Sequence, residues 1–170
     1  MLHRDLLSWT EASALPDNAC VPALQPMTDG VVIIRAPEPG DAAVLVAGRD
    51  SVFHRFLGPG ADEPSPTACI VVDDAIVGWV DFDIDRSWLE PGEVNVGYNV
   101  FASHRGKGYA SRAVQLLLQH LALDTDHRVA TLLIDPENEK SLALAARNGF
   151  AAHGDLDGNP YFKKALATHE

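Results

Sequence analysis

The stretch NVGYNVFASHRGKGYA, residues 95–110, decides how this chain is read. Its first part, Asn95 to Phe101, mixes β-branched and aromatic residues and reads as the end of a strand beginning at Glu93. Its last part crowds two glycines, Gly106 and Gly108, into a turn. After the turn, Ala110, Ala113, Val114, Leu117, Leu118 and Leu121 recur at three- and four-residue steps, the period of a helix. A strand that runs through glycines into a long helix suits an anion. The first N–H groups of the helix have no intrahelical partner, the helix dipole favours negative charge, and glycine lets a ligand approach the backbone. Arg105 and Lys107 lie in the turn, Arg112 falls one turn into the helix, and His104 adds a fourth donor.

The rest of the composition sharpens that reading. The 170 residues include 24 acidic and 13 basic side chains, a formal charge of −11. Such a field opposes nucleic acid and favours cationic partners such as amines. It also repels an anionic cofactor unless a local positive cluster holds it, and residues 104–112 are the densest such cluster. Gly106-Lys-Gly108 lacks the third glycine of a dinucleotide fingerprint. Asp135, at the end of the next strand, lies about 29 residues from Gly106 where about 20 are expected. P-loop spacing is absent as well. No apolar run approaches the roughly 18 residues of a membrane span, and the first residues lack a secretory apolar core. Cys20 and Cys69 have no metal-motif spacing and read as reduced thiols of a cytoplasmic protein. The 7 histidines form no pair at ligand spacing, so no metal is expected.

Outward from the central stretch, further elements follow from pattern and punctuation. Residues 1–28 read as an N-terminal arm, and 29–170 as one domain. Val31–Ile34 is a first strand, Asp41–Gly48 and Ser51–Leu57 are short helices, and 58–66 is a loop. Ala68–Val72 and Ile76–Asp85 flank Asp73-Asp74 as a hairpin. In the second of these strands Val80, Phe82 and Ile84 alternate with Asp81, Asp83 and Asp85. That carboxylate stripe either draws a cationic acceptor or forms a solvated sheet face. Val129–Ile134 is a strand, Asn138–Asn148 a helix closed by Gly149, and Tyr161–Leu166 a last strand after the 155–159 turn. The order is β–α–α–β–β–β–α–β–α–β–β, with an antiparallel first half and a parallel pair around the long helix.

Arg105-Gly-Lys-Gly108-Tyr-Ala110 resembles the Arg/Gln-x-x-Gly-x-Gly/Ala signature of the GNAT acetyltransferases. Asn138-Glu-Lys-Ser141, followed by a helix and Gly149-Phe150, is similar to their second motif. Thr28-Asp29, the strand ending in Arg35 and the helix opening at Asp41 resemble the branch that acetylates ribosomal-protein N-termini. The resemblance spans residues 28–166. It implies a GNAT fold of the α/β (α+β) class: a mixed, partly splayed sheet of about seven strands flanked by about four helices. The implied reaction moves an acetyl group from acetyl-CoA to a primary amine by direct attack in a ternary complex. The acceptor is a protein or peptide N-terminus or a small amine. The alternative is a non-catalytic acyl-CoA-binding domain.

The resemblance also assigns residues. Tyr98, Asn99 and Val100 supply backbone contacts to pantetheine and the thioester carbonyl. Backbone N–H groups of Arg105, Gly106, Lys107, Gly108, Tyr109 and Ala110 hold the pyrophosphate, and Asn138 and Ser141 border the cofactor. Glu93 is the candidate base and Ser141 the candidate acid. Two positions depart from the family pattern: Asn95 stands where a glutamate is common, and Ala145 where many relatives carry a tyrosine acid. Glu93 also reads as a plain strand-start residue, and Asn138 and Ser141 as a helix cap. Trp9, Trp79 and Trp88 either line an acceptor groove or pack in the core. Loops 58–66, 86–92 and 155–159 would build the acceptor site. Many relatives are dimers, which leaves a homodimer open.

Overall fold

The computed structural model describes residues 23–167; Trp9, Cys20 and the rest of 1–22 lie outside the described residues. Chain order is β1 (Met27–Thr28), β2 (Ile33–Arg35), α1 (Asp41–Ala47), α2 (Ser51–Leu57), β3 (Ala68–Val72), β4 (Ala75–Asp83) and β5 (Glu93–Val100). A single 3-10 turn, Ala102–His104, leads to α3 (Tyr109–Asp124), then β6 (Val129–Leu133), α4 (Glu139–Arg147), β7 (Ala151–Leu156) and β8 (Asn159–Ala165). The strands form one mixed sheet in the order β1-β2-β3-β4-β5-β6-β8-β7. Eight strands replace the expected seven because Met27–Thr28 pairs with β2, and Leu24 packs in the core. The sheet and its core therefore begin inside the segment expected to be an arm.

Local chemistry explains most boundaries. Asp73 and Asp74 adopt φ of 48° and 63°, the left-handed pair that a two-residue hairpin needs to match strand twist. Asp50 caps α2, its Oδ1 accepting the Phe53 N–H at 2.9 Å. Asn138 caps α4 by accepting the Ser141 N–H at 3.2 Å. Gly149 ends α4 at φ 75°, and the Phe150 N–H donates to the Ala145 carbonyl at 3.0 Å, turning the Phe150 ring into the core.

Each sheet face has its own helices. On one, α3 and α4 bury Val114, Leu117, Leu121 and Leu144 against Ile34, Ile70, Val80, Val94, Val96 and Leu132. Burial of Leu117 or Leu121 contributes about 1.5–3 kcal/mol each. On the other, α1 and α2 place Leu45 and Phe53 over Cys69 and Trp79. Burial raises the Cys69 thiol to about 12, so it stays a packed, unreactive group.

The sheet opens at the one parallel pair among the described residues. Strands β5 and β6 pair at Glu93↔Val129, Val94↔Ala130 and Asn95↔Thr131. Beyond that register β6 stays with β8, as far as Leu133↔Tyr161, while β5 stays with β4, as far as Val100↔Gly78. The fully buried Thr131 sits at the apex, its hydroxyl donating to the Val94 carbonyl at 3.0 Å.

Candidate active site

The free edge of β5 is defined by alternation. The Phe101 N–H donates to the Val77 carbonyl across the β4 ladder. Residues in step with Phe101, namely Asn99, Gly97 and Asn95, therefore turn their backbone toward β4. Val96, Tyr98 and Val100 turn theirs toward the gap. Consistent with this, the Val100 carbonyl is met from the gap side by Arg105 Nε at 2.8 Å. Of the three residues expected to line the gap, Tyr98 and Val100 offer backbone groups there. Asn99 does not: its peptide belongs to the β4 ladder, and only its side chain remains available, on the α1–α2 face. Strand alternation forces that correction, since adjacent residues cannot share an edge.

Past the edge comes the glycine turn. Gly106 and Gly108 have φ of 77° and 80°, and both are exposed together with Lys107. Gly108 is the N-cap of α3 and no side chain caps the helix, whose first backbone bond runs from the Arg112 N–H to the Gly108 carbonyl. The N–H groups of Tyr109, Ala110 and Ser111 precede that bond and are the unpaired donors of a 16-residue helix. The guanidinium groups behave differently from what their clustering suggested. Arg105 grips Asp50 through two bonds of 2.6 and 3.0 Å, holding that carboxyl down at about 2. Arg112 binds Asp29 at 2.7 Å. Lys107 and the backbone, rather than Arg105 and Arg112, are left to meet an anion.

Across the gap, the Tyr98 hydroxyl donates to Ser141 Oγ at 2.6 Å, linking β5 to the first turn of α4. Burial raises Tyr98 to about 12, so it keeps its proton. Ser141 thus has its oxygen occupied and its own hydrogen free to donate, while its N–H completes the Asn138 cap. The cap therefore leaves the Ser141 hydroxyl available. Ala145 is fully buried against α3 and the sheet, which leaves no room there for a tyrosine.

Glu93 is 7% exposed and committed. Its Oε1 takes Lys163 Nζ at 2.5 Å, and its Oε2 accepts the Glu90 N–H at 3.1 Å and the Tyr161 hydroxyl at 3.3 Å. Burial alone would raise its pKa, but the Lys163 bond, the Glu90 N–H and Tyr161 outweigh it and keep the carboxylate below its ordinary value. A carboxylate so held is a poor proton acceptor, which turns the expected base into a structural anchor. Lys163 in turn is raised by the same pair.

The same face carries what the sequence reading undervalued. Asp81 and Asp83 are half-buried rather than solvated; only Asp85 is exposed. Burial pushes Asp81 up to about 6, against hydrogen bonds from Thr67 and Phe82. Asp83 is also raised by burial, with Arg86 at 3.0 Å opposing. The side chains of Asn95 and Asn99 lie on this face, and Trp88 stacks edge-on to Tyr161 at 5.2 Å between ring centres. The stripe Asp81-Asp83 was visible by period two; its burial was not. Among the described residues no cluster of ligating side chains suits a metal ion, and no helix is long and apolar enough to cross a membrane.

Comparison with known proteins gives consistent results. The family profile described as the acetyltransferase (GNAT) domain matches residues 53–151. The ribosomal-protein-serine acetyltransferase of Escherichia coli (strain K12) is 31% identical over 87 residues, 51% of this chain and 48% of that protein. The aligned chain thus spans about half the length of this curated relative. A GNAT-family acetyltransferase structure from Bacillus anthracis superposes with a TM-score of 0.70 at 16% identity, covering 84% of this chain and 99% of that one. RimL, a ribosomal L7/L12 alpha-N-protein acetyltransferase in complex with coenzyme A, superposes at 0.61 with 18% identity, covering 86% and 97%. At such identities these structures speak for the fold.

Proposed function

The chain belongs to the GNAT acetyltransferase family, and from that membership we propose that it transfers the acetyl group of acetyl-CoA to a primary amine within a ternary complex. One observation carries the reading: β5 and β6 stop pairing after Asn95↔Thr131, directly upstream of the uncapped start of α3. The gap offers backbone N–H and C=O groups of Tyr98 and the N–H of Val100, the complement of an amide-bearing pantetheine arm. The N–H groups of Tyr109, Ala110 and Ser111, with Lys107 nearby, suit a diphosphate. The donor set therefore fits the cosubstrate, which supplies an activated acyl carbon and a thiolate leaving group.

The residues then divide the work. A gap-facing N–H of β5 polarises the thioester carbonyl as charge develops on its oxygen. The amine nitrogen bonds to that carbon as the carbon–sulfur bond breaks. Ser141, held for the purpose by Tyr98, donates its hydroxyl hydrogen to the departing sulfur, and its oxygen is reprotonated by the proton that the acylated nitrogen loses. The likeness to a ribosomal-protein-serine acetyltransferase makes a protein α-amino terminus the first acceptor to try, with small amines second. We place the enzyme in the cytoplasm, where acetyl-CoA and nascent proteins meet, with nucleic acid disfavoured by its net charge of −11.

The test is a thermal shift with millimolar acetyl-CoA on the wild type and on Gly108→Asp, which adds a side chain at φ 80° and a negative charge among the donors. The wild type is expected to gain several degrees and the variant none. A wild-type melting temperature unmoved by acetyl-CoA defeats the proposal.

A further inference from the structure

The polar residues on the face of β4 and β5 that also carries Trp79 hold more hydrogen-bonding capacity than the fold uses. Asp81 Oδ1 accepts from the Thr67 N–H at 2.9 Å, the Thr67 hydroxyl at 2.6 Å and the Phe82 N–H at 3.0 Å. Its Oδ2 has no hydrogen-bond partner among the described residues. Asn95 and Asn99, only 6% and 7% exposed, leave Oδ1 and Nδ2 respectively unpaired. The three residues are neighbours. Asp81 faces Gly97 across the ladder, and Asn95 and Asn99 flank Gly97 on the same side of β5, about 6.8 Å to either side. Gly97 itself brings no side chain, and it lies just beyond the point where β5 and β6 part. Burying an unpaired amide atom costs about 1–3 kcal/mol. Two such atoms beside an unpaired carboxylate oxygen are better explained by a ligand than by packing.

The unmet groups describe that ligand. Asp81 Oδ2 and Asn95 Oδ1 both seek donors, and Asn99 Nδ2 seeks an acceptor. A primary ammonium group supplies up to three donors, and a carbonyl close to it supplies the acceptor. Glu93 cannot take this part, because Lys163 holds it. Resting on the acetyltransferase reading above, we propose that Asp81 receives the ammonium group of a cationic primary amine, with Asn95 as second acceptor, and removes the proton that must leave before nitrogen can attack. The N–H bond breaks toward Asp81 Oδ2, and the freed electron pair forms the C–N bond. Sulfur departs with the C–S pair and takes its proton from Ser141; the acylated nitrogen sheds its second proton, through water, to the Ser141 oxygen, and Asp81 returns its own to solvent. Burial, which raises Asp81 to about 6, suits it to accept a proton near neutrality. The charged groups around it are Asp83 on the same strand, paired with Arg86, and the Glu93–Lys163 pair farther along the face.

Thiol release is followed with two acceptors, a hexapeptide bearing a free α-amino terminus and putrescine, which separate a peptide from a small-molecule source of the same ammonium chemistry. Acetyl-CoA thermal shifts are recorded for every protein. Asp81→Asn is expected to keep the wild-type shift while kcat/KM at pH 7 falls about 10²–10⁴-fold. Part of that loss should return as pH rises and the amine deprotonates unaided. Asn95→Ala is expected to raise the amine KM at least about tenfold with the acetyl-CoA shift intact. Asp81→Asn turning over within about threefold of wild type overturns the proposal. Should Asp81→Asn lose the shift, an unchanged amine KM in Asn95→Ala overturns it instead. Wild type that binds acetyl-CoA yet turns over neither amine also overturns it, whereas wild type that fails to bind acetyl-CoA refutes the acetyltransferase reading itself.

Discussion

Arg105 and Ser141 show how single side chains take on their roles. Arg105 stands in a cationic turn, yet its guanidinium ties that turn to Asp50 and to the Val100 carbonyl. The clamp holds the glycine turn against the α2 cap, so in the proposed anion site Arg105 acts through the backbone it shapes. Asp50→Asn is expected to destabilise the protein by about 1–3 kcal/mol in urea denaturation. The sign of its pH dependence follows from the depressed carboxyl, 3.8 falling to about 2 on folding. The stabilisation is fully present above the unfolded value and disappears as pH drops through about 2. Acid titration of wild type against Asp50→Asn should therefore converge at the acid end. Ser141 was legible in the sequence as either cap or acid. Its oxygen bonds Tyr98 and its N–H bonds Asn138, so the two readings concern different atoms. Ser141→Ala is expected to lower kcat about 10²-fold, with little change in the acetyl-CoA thermal shift.

At the scale of elements, the proposed function rests on β5 because its two edges differ. One is sealed by β4; the other loses β6 after Asn95. Amide hydrogen exchange should read this residue by residue. The N–H groups of Tyr98 and Val100 are expected to exchange fast in the free protein and to slow on addition of acetyl-CoA. Those of Gly97 and Asn99, bonded to β4, should be slow in both. Equal protection of all four in the free protein would contradict the open edge. Helices α2, α3 and α4 were legible to within a few residues because each combines a period with a cap: Asp50 for α2, Gly108 for α3, Asn138 and Gly149 for α4. Strand β1 was missed because two residues between Pro26 and Gly30 carry no periodicity. Pairing with Ile33 and Ile34 defines it, and pairing is a tertiary event.

For the whole molecule, a charge of −11 and a half-buried carboxylate face work in the same direction. Long-range attraction should concentrate a cationic acceptor and weaken as salt shortens its reach, from about 30 Å at 0.01 M to about 3 Å at 1 M. The KM for a cationic amine is therefore expected to rise several-fold between low and high salt, while kcat stays nearly constant. A KM insensitive to salt would separate the net charge from acceptor capture.

Sequence alone determined the order of elements from β2 onward, the glycine turn at the head of α3 and the family resemblance, because these depend on neighbours along the chain. Backbone conformation at Gly106 and Gly108, caps such as Asn138 and the apolar period of 110–121 are local quantities. Tertiary structure decided which charges are free and which are occupied. Arg105 met Asp50 across 55 residues and Glu93 met Lys163 across 70. Asp81 was desolvated by burial beside Thr67, 14 residues away along the chain. Electrostatic character depends on distance in space and on exclusion of water, and neither is written in the spacing of residues along the chain.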